Sequence, residues 1–168
     1  MSEETQPQTD PAGAGNPERN AVRPVTLAAV AEILDEENLE YRIEDGILRT
    51  GFANAAIVVA VDNARDGDNL VFEAVWRGEF PREMASQVLF ACNEHNQTHF
   101  APTLRFFEKG GDHLAVSGIR AMDISHGASF NQLGAFVVSS IEATLQAFDY
   151  LAATFPALVT WEDPHNEH

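Results

Sequence analysis

Three side chains near residue 95 have the types and spacing of a metal site. Cys92, His95 and His99 recur at steps of three and four residues, so one face of a helix would present one sulfur and two imidazoles, which are zinc ligands. A structural zinc site needs a fourth ligand, which the neighbouring sequence lacks. We therefore expect no metal, but a buried cysteine and a histidine near a helix C-terminus, where positive charge is favourable.

The acidic stretch between two strand-like segments resembles a calcium-binding loop. Its acidic residues and glycine fit positions 1, 5, 6, 7 and 12 of the template and are Asp62, Asp66, Gly67, Asp68 and Glu73. Position 3 is Ala64, which has no ligand oxygen, and an EF-hand loop lies between helices. Because Asp-Gly-Asp-Asn is common in hairpin turns, we expect a turn and no calcium site.

The sequence also lacks the patterns of common catalytic sites. Ser125 and His126 are adjacent, so their side chains point apart, and no G-x-S-x-G pattern surrounds the serine. Neither glycine-rich pattern for phosphate binding occurs. The acidic residues 35–37 end a predicted helix and are typical of a solvated surface. We therefore expect no catalytic residues, no cofactor and no enzymatic activity.

Charge and composition exclude several classes of partner. The 168 residues include 26 acidic and 10 basic side chains, and the net charge of −16 repels nucleic acid phosphates. The single cysteine permits no intrachain disulfide, and no apolar run is long enough for a membrane span. We expect a cytoplasmic protein that binds neither nucleic acid nor a membrane.

The chain divides into one domain and two tails. The N-terminal segment 1–23 is acidic, polar and rich in proline and glycine, and it predicts a disordered tail. Residues 24–156 have the apolar content of one folded domain. Residues 157–168 are mostly polar and predict a second tail.

Helical spacing of apolar residues predicts three helices. The first begins at the N-cap residue Thr26, and the second runs from Pro81 to Asn96. Ser129 and Gln132 form an S-x-x-Q capping box for a third helix, which would be about 39 Å long. A helix of that length can extend beyond the core of a small domain.

Alternating or β-branched residues predict the strands of an antiparallel sheet. Residues 39–50 form two predicted strands joined by a turn at Asp45-Gly46. The other predicted strands are residues 56–61, 69–76, 103–109 and 113–121. The fold class is α+β, an antiparallel sheet with flanking helices in the order α-β-β-β-(β)-α-β-β-α.

Some apolar side chains are expected to remain exposed. Alternation places the rings of Phe106 and Phe107 on opposite faces of the sheet, so that one ring would join an apolar groove for a partner. A second helix layer is the competing explanation. The predicted partner-binding residues, from the sheet and the last helix, are Val71, Val75, Trp76, Phe106, Phe107, Phe136 and Ser140.

The second helix ends in CNEHNQTHFAP, in which Asn93 and Asn96 precede Pro102 and a strand. With its element order, the hairpin and the long final helix, residues 25–156 resemble the YbjN family of bacterial sensory transduction regulators, whose fold is similar to that of type III secretion chaperones. Two asparagines at i and i+3 lie on one side of a helix end, where their amides can bind carbonyls or a strand edge. We assign Asn93 and Asn96 this structural role.

The resemblance implies a regulator or chaperone-like adaptor that binds polypeptides, forms a homodimer and has no enzymatic activity. The alternative hypothesis is a small-ligand or metal-binding domain of an enzyme, which predicts a deep pocket with converging polar groups. The sequence does not identify the partner.

Overall fold

The computed structural model describes residues 17–161, which form three α-helices and one antiparallel sheet of seven strands. The helices are α1 (Leu27–Glu36), α2 (Ala85–Thr98) and α3 (Phe130–Thr154). The strands are β1 (Arg42–Glu44), β2 (Ile47–Phe52), β3 (Ala55–Ala64), β4 (Gly67–Trp76), β5 (Phe80–Pro81), β6 (Thr103–Glu108) and β7 (His113–Asp123). The predicted fold class is confirmed, and the short strand β5 is an addition to it.

The strands follow one another across the sheet from β1 to β4, and β7 then lies between β4 and β6. Leu114 pairs with Glu108 of β6 on one side and with Phe80 of β5 on the other. β5 therefore continues the line of β4 after a short break. β6 is an edge strand.

The predicted turns have the required backbone conformations. Asp45 and Gly46 have φ angles of 55° and 72°, which is the left-handed pair of a tight hairpin. Gly110 and Gly111 join β6 to β7 with φ angles of 58° and 61°. These turns fix the register of the strands on either side.

The core lies on one face of the sheet, beneath α1 and α3. Along β4 the side chains alternate between buried and half-buried, and Leu70, Phe72, Ala74 and Trp76 are buried. The helices bury matching apolar stripes over them, including Ile33 of α1. We call the opposite side of the sheet the outer face.

Both predicted N-caps are present. The Thr26 hydroxyl accepts a hydrogen bond from the N–H of Ala29 at 3.2 Å. The capping box of α3 is complete, because Ser129 Oγ accepts from the N–H of Gln132 at 3.1 Å and Gln132 Oε1 accepts from the N–H of Ser129 at 2.9 Å. These contacts satisfy N–H groups that have no partner within the helix.

The folded domain extends beyond both predicted boundaries. Within the predicted N-terminal tail, residues 17–20 form a 3-10 helix, and Arg23 pairs with Ala128 through two backbone hydrogen bonds. Within the predicted C-terminal tail, the ring of Trp161 packs edge-on against Trp76 at a centroid distance of 5.5 Å. Ordered structure therefore continues past residues 23 and 157, and the division into one domain and two tails stays a prediction. Residues 1–16 and 162–168 of the predicted tails lie outside the described residues.

Candidate functional site

Three of the predicted partner-binding side chains are buried within the protomer. Trp76 and Ser140 are at most 1% exposed, and Phe136 is 7% exposed. Trp76 lies on the core side of β4, and the other two lie on the side of α3 that covers the sheet. The prediction is wrong for these residues, because the protomer's own core already covers them.

The other four predicted residues divide between the two faces of the sheet. Phe106 pairs with the buried Val116 and packs against the core, so it does not face a partner. Val71, Val75 and Phe107 are half-buried on the outer face, and their role in binding stays a prediction. The half-buried apolar residues of the outer face include Val58, Val71, Val75, Phe107 and Ile119.

An ion pair crosses the outer face. Arg105 Nη2 donates to Glu73 Oε1 at 3.2 Å, and Arg105 Nε donates to Ser117 Oγ at 3.4 Å. The aliphatic part of an arginine covers apolar surface while its charged end stays solvated. No helix of residues 17–161 places its buried stripe on this face.

A second apolar surface lies on α2. Phe90 is 65% exposed and Leu89 is 47% exposed, whereas Val88, Ala91, Cys92 and His95 are buried. The sequence predicts the burial of Cys92 correctly but does not single out the two exposed apolar residues, Leu89 and Phe90. The sequence feature that could have identified them is the presence of two large apolar side chains outside the i, i+3, i+4 pattern of the buried face.

Phe90 borders a cleft of about 670 Å³ between α2 and the end of α3. Its walls are mostly apolar and include Tyr150, Phe155, Pro156 and Leu158. The Tyr150 hydroxyl donates to Glu94 at 3.4 Å, and burial and this carboxylate raise the pKa of the tyrosine. Leu89, Phe90 and this cleft are together called the α2 surface.

Asn96 has the predicted structural role. Its amide nitrogen donates to the carbonyl of Leu104 and its amide oxygen accepts from the N–H of Leu104, both at 2.8 Å. Asn93 is exposed, and the structure gives its amide no hydrogen bond within the described chain. The helix-end assignment is therefore confirmed for Asn96 alone.

The cysteine and two histidines do not converge as metal ligands. His95 Nε2 lies 3.0 Å from the carbonyl oxygen of Pro102, and its ring stacks on His99 at a centroid distance of 4.5 Å. Burial raises the pKa of Cys92 to about 11 and lowers the pKa of His95. Within residues 17–161 no group of three or more acidic, histidine or cysteine side chains is arranged to hold a metal ion.

The calcium-like stretch forms the predicted hairpin between β3 and β4. Asp62 pairs with Asn69 and Asn63 with Asp68, so the acidic side chains alternate along two strands and do not encircle a cation. Ser125 Oγ accepts from the N–H of Asp68 at 3.0 Å, which gives this serine a structural contact.

Among the described helices, none is long and apolar enough to span a membrane.

Comparison with known proteins identifies the family. The model of the YbjN family, described as "Putative bacterial sensory transduction regulator", matches residues 26–153. The chain belongs to the YbjN family. No curated protein sequence matches it.

A crystal structure of YbjN from E. coli, described as "a putative transcription regulator", has the same fold. It superposes with a TM-score of 0.65 and 12% sequence identity, over 81% of this chain and 97% of the other. This similarity confirms the α+β architecture of the YbjN domain. The similarity to type III secretion chaperones stays a prediction.

Proposed function

We propose that this YbjN-family protein is a non-enzymatic cytoplasmic regulator that binds a polypeptide segment at its α2 surface. Its family is described as regulatory, which favours a role in signal transmission over catalysis. A segment with apolar anchors would insert one side chain beside Phe90 and extend along the cleft towards Leu158.

The exposure of Phe90 is the observation on which this proposal rests. A phenylalanine that is 65% exposed beside a half-exposed leucine places apolar area in water without a contribution to the core. The adjoining cleft is concave and apolar, so a partner side chain could be enclosed on several sides there. Aromatic side chains in such positions are common binding anchors.

A homodimer formed through the outer face is the second part of the proposal. Two-fold dimers require a patch that is complementary to itself, and a sheet face with apolar and oppositely charged side chains meets this requirement. Val71 and Val75 would meet their equivalents near the axis, and Arg105 and Glu73 would exchange ion pairs. The α2 surface would remain accessible on each protomer.

Affinity capture with matched variants tests the polypeptide-binding part. The full chain with Phe90→Ser should retain at least tenfold less of a specific partner than the unchanged chain, because the central apolar anchor is lost. Val22→Ser is the matched control, since Val22 is 64% exposed but lies outside the α2 surface. Equal retention by the two variants would contradict the assignment.

Size-exclusion chromatography with light scattering tests the dimer. We expect a mass of about twice the chain's 18.4 kDa. Val71→Glu should return the protein to a monomer, because like charges would face each other across the axis. Val22→Glu, at an exposed position outside the sheet, should leave the dimer intact. A monomer at all concentrations would rule out the dimer and leave the α2 surface to be judged by capture alone.

A further inference from the structure

Arg120 differs from the other basic residues of the chain in its surroundings. Of the 10 basic side chains, all of which lie within the described residues, it is the one that is not exposed. It pairs with the buried Phe72 and therefore faces α3, on the core side of β7. A guanidinium in such a position normally has a carboxylate partner, because partial burial of an unpaired charge is unfavourable.

One end of the Arg120 guanidinium is fixed by α3. Nη1 donates to Ser139 Oγ at 2.6 Å and to Ser140 Oγ at 3.1 Å, and lies 3.5 Å from the carbonyl oxygen of Phe136. The carbon at its centre lies 4.9 Å from the centre of the Phe136 ring. These contacts hold the group in one orientation.

The other end of the guanidinium has no protein partner within residues 17–161. Neither Nε nor Nη2 has a hydrogen-bond acceptor there, and no described carboxylate forms an ion pair with Arg120. Five other basic residues do form such pairs, namely Arg19, Arg42, Arg82, Arg105 and Lys109. The chain has 26 acidic residues, so the absence of a carboxylate beside Arg120 does not result from a shortage of acidic side chains.

Arg120 lines a cleft of about 760 Å³, which is within the usual range for small-molecule sites. One wall is Phe100, which is 96% exposed, and others are Met122, Ile119 and Ala135. The cleft lies along the edge of β7 beyond the first residue of β6, because β6 begins at Thr103, which pairs with Ile119. The site thus combines one oriented cation with apolar walls.

We infer that this cleft, the Arg120 cleft, binds a small organic monocarboxylate with an apolar or aromatic body. The carboxylate accepts hydrogen bonds from Nε and Nη2 of Arg120, which match its two oxygens in spacing. The apolar body lies against Phe100 and Met122. The net charge of −16 disfavours ligands with several negative charges, so a single carboxylate fits best. This inference goes beyond the proposed function and needs no polypeptide partner.

The competing explanation is that Arg120 only attaches α3 to the sheet. Both explanations predict a loss of stability when the arginine is replaced, so stability does not distinguish them. They differ in whether a carboxylate contacts the free edge of the guanidinium.

Titration of the full chain with acids and their neutral amides distinguishes the two explanations. The probes are phenylacetate and hexanoate, with phenylacetamide and hexanamide as matched controls, followed through the arginine Nε–Hε signals in proton–nitrogen NMR spectra. We expect the Arg120 signal to shift with an acid and at least tenfold tighter binding of one acid than of its amide. Equal binding of acid and amide, or no shift of this signal up to the solubility limit of either acid, would overturn the inference.

Variants locate the binding and keep the test valid if the arginine is needed for folding. Arg120→Gln should remove the preference for the acid over the amide. Ala135→Leu should weaken binding at least fivefold, because Ala135 is an exposed wall residue of the cleft and makes none of the Arg120 contacts. Arg65→Gln, at an exposed turn, is the charge-matched control and should bind as the unchanged chain does. Undiminished acid binding by Ala135→Leu would place the ligand elsewhere and contradict the inference.

Discussion

The side chain of Asn96 pairs with the backbone of Leu104 as a neighbouring strand would. It supplies one donor and one acceptor, each 2.8 Å from its partner. Leu104 lies in the edge strand β6, whose free backbone groups would otherwise be a template for another chain. The end of α2 thus covers the edge of the sheet and fixes its own position against it.

Replacing Asn96 with alanine should lower the free energy of unfolding by about 1–3 kcal/mol, because an N–H and a C=O of the strand both lose their partner. Asn93→Ala is the matched control on the same turn of α2 and should change it by less than about 0.5 kcal/mol, since Asn93 is exposed. Urea denaturation measures both. Equal effects of the two changes would contradict the role assigned to Asn96.

The C-terminal segment should stabilise the core through Trp161. Its ring packs against that of Trp76, which is fully buried. The Trp76 ring also packs against Phe80, at a centroid distance of 5.5 Å. We expect Trp161→Ala to cost about 1–2 kcal/mol and Trp76→Ala about 3–5 kcal/mol of stability in urea denaturation. No loss with Trp161→Ala would mean that the domain ends before this residue.

Local sequence signals are sufficient for most of the fold. The caps at Thr26 and Ser129 and the turn at Asp45-Gly46 act over a few residues, so their types determine the structure. Strand β5 is too short for a periodic signal and exists because β7 extends past the end of β4. The boundaries at residues 23 and 157 depend on distant contacts, such as those of Arg23 with Ala128, which local composition does not reveal.

Stability should decrease as the pH falls below 7. Burial lowers the pKa of His95 from its ordinary value of 6.5, and the charge of the stacked His99 acts in the same direction. The unfolded chain therefore binds this proton first, and the contribution of neutral His95 is lost progressively below pH 6.5.

The measurement is the slope of the free energy of unfolding against pH between pH 7 and 5.5, compared between two histidine variants. His95→Gln should reduce that slope, by at most about 1.4 kcal/mol per pH unit, which is the limit for one proton. His113→Gln, at an exposed residue, is the matched control. If His95→Gln leaves the slope unchanged, His95 is not the group that titrates.

Cys92 should resist thiol reagents in the folded protein. It is 2% exposed, and burial raises its pKa to about 11. At pH 8 roughly one molecule in a thousand would carry the reactive thiolate. Iodoacetamide labelling followed by mass spectrometry should therefore require urea. Rapid labelling of the folded chain at pH 8 would show that α2 opens readily.

The candidate site was less predictable than the fold. Alternation along β4 identifies which side chains share a face but not which face is covered, so Trp76 and Val71 could not be told apart as core and surface. Phe136 and Ser140 lie on the long helix, and their burial depends on how the sheet meets that helix. Phe90 was detectable only as an apolar residue outside the buried stripe of α2.

Site-specific photocrosslinking tests the central claim most directly. A chain with the photoreactive amino acid p-benzoylphenylalanine in place of Phe90 would be irradiated in the native host, with the same amino acid in place of the exposed Glu142 as control. We expect the chain with the photoreactive residue at position 90 to crosslink to another polypeptide. An excess of the unchanged chain should reduce this crosslink, and the chain with the photoreactive residue at position 142 should not form it. Crosslinks of equal yield at both positions, or none at position 90, would contradict a polypeptide-binding role of the α2 surface.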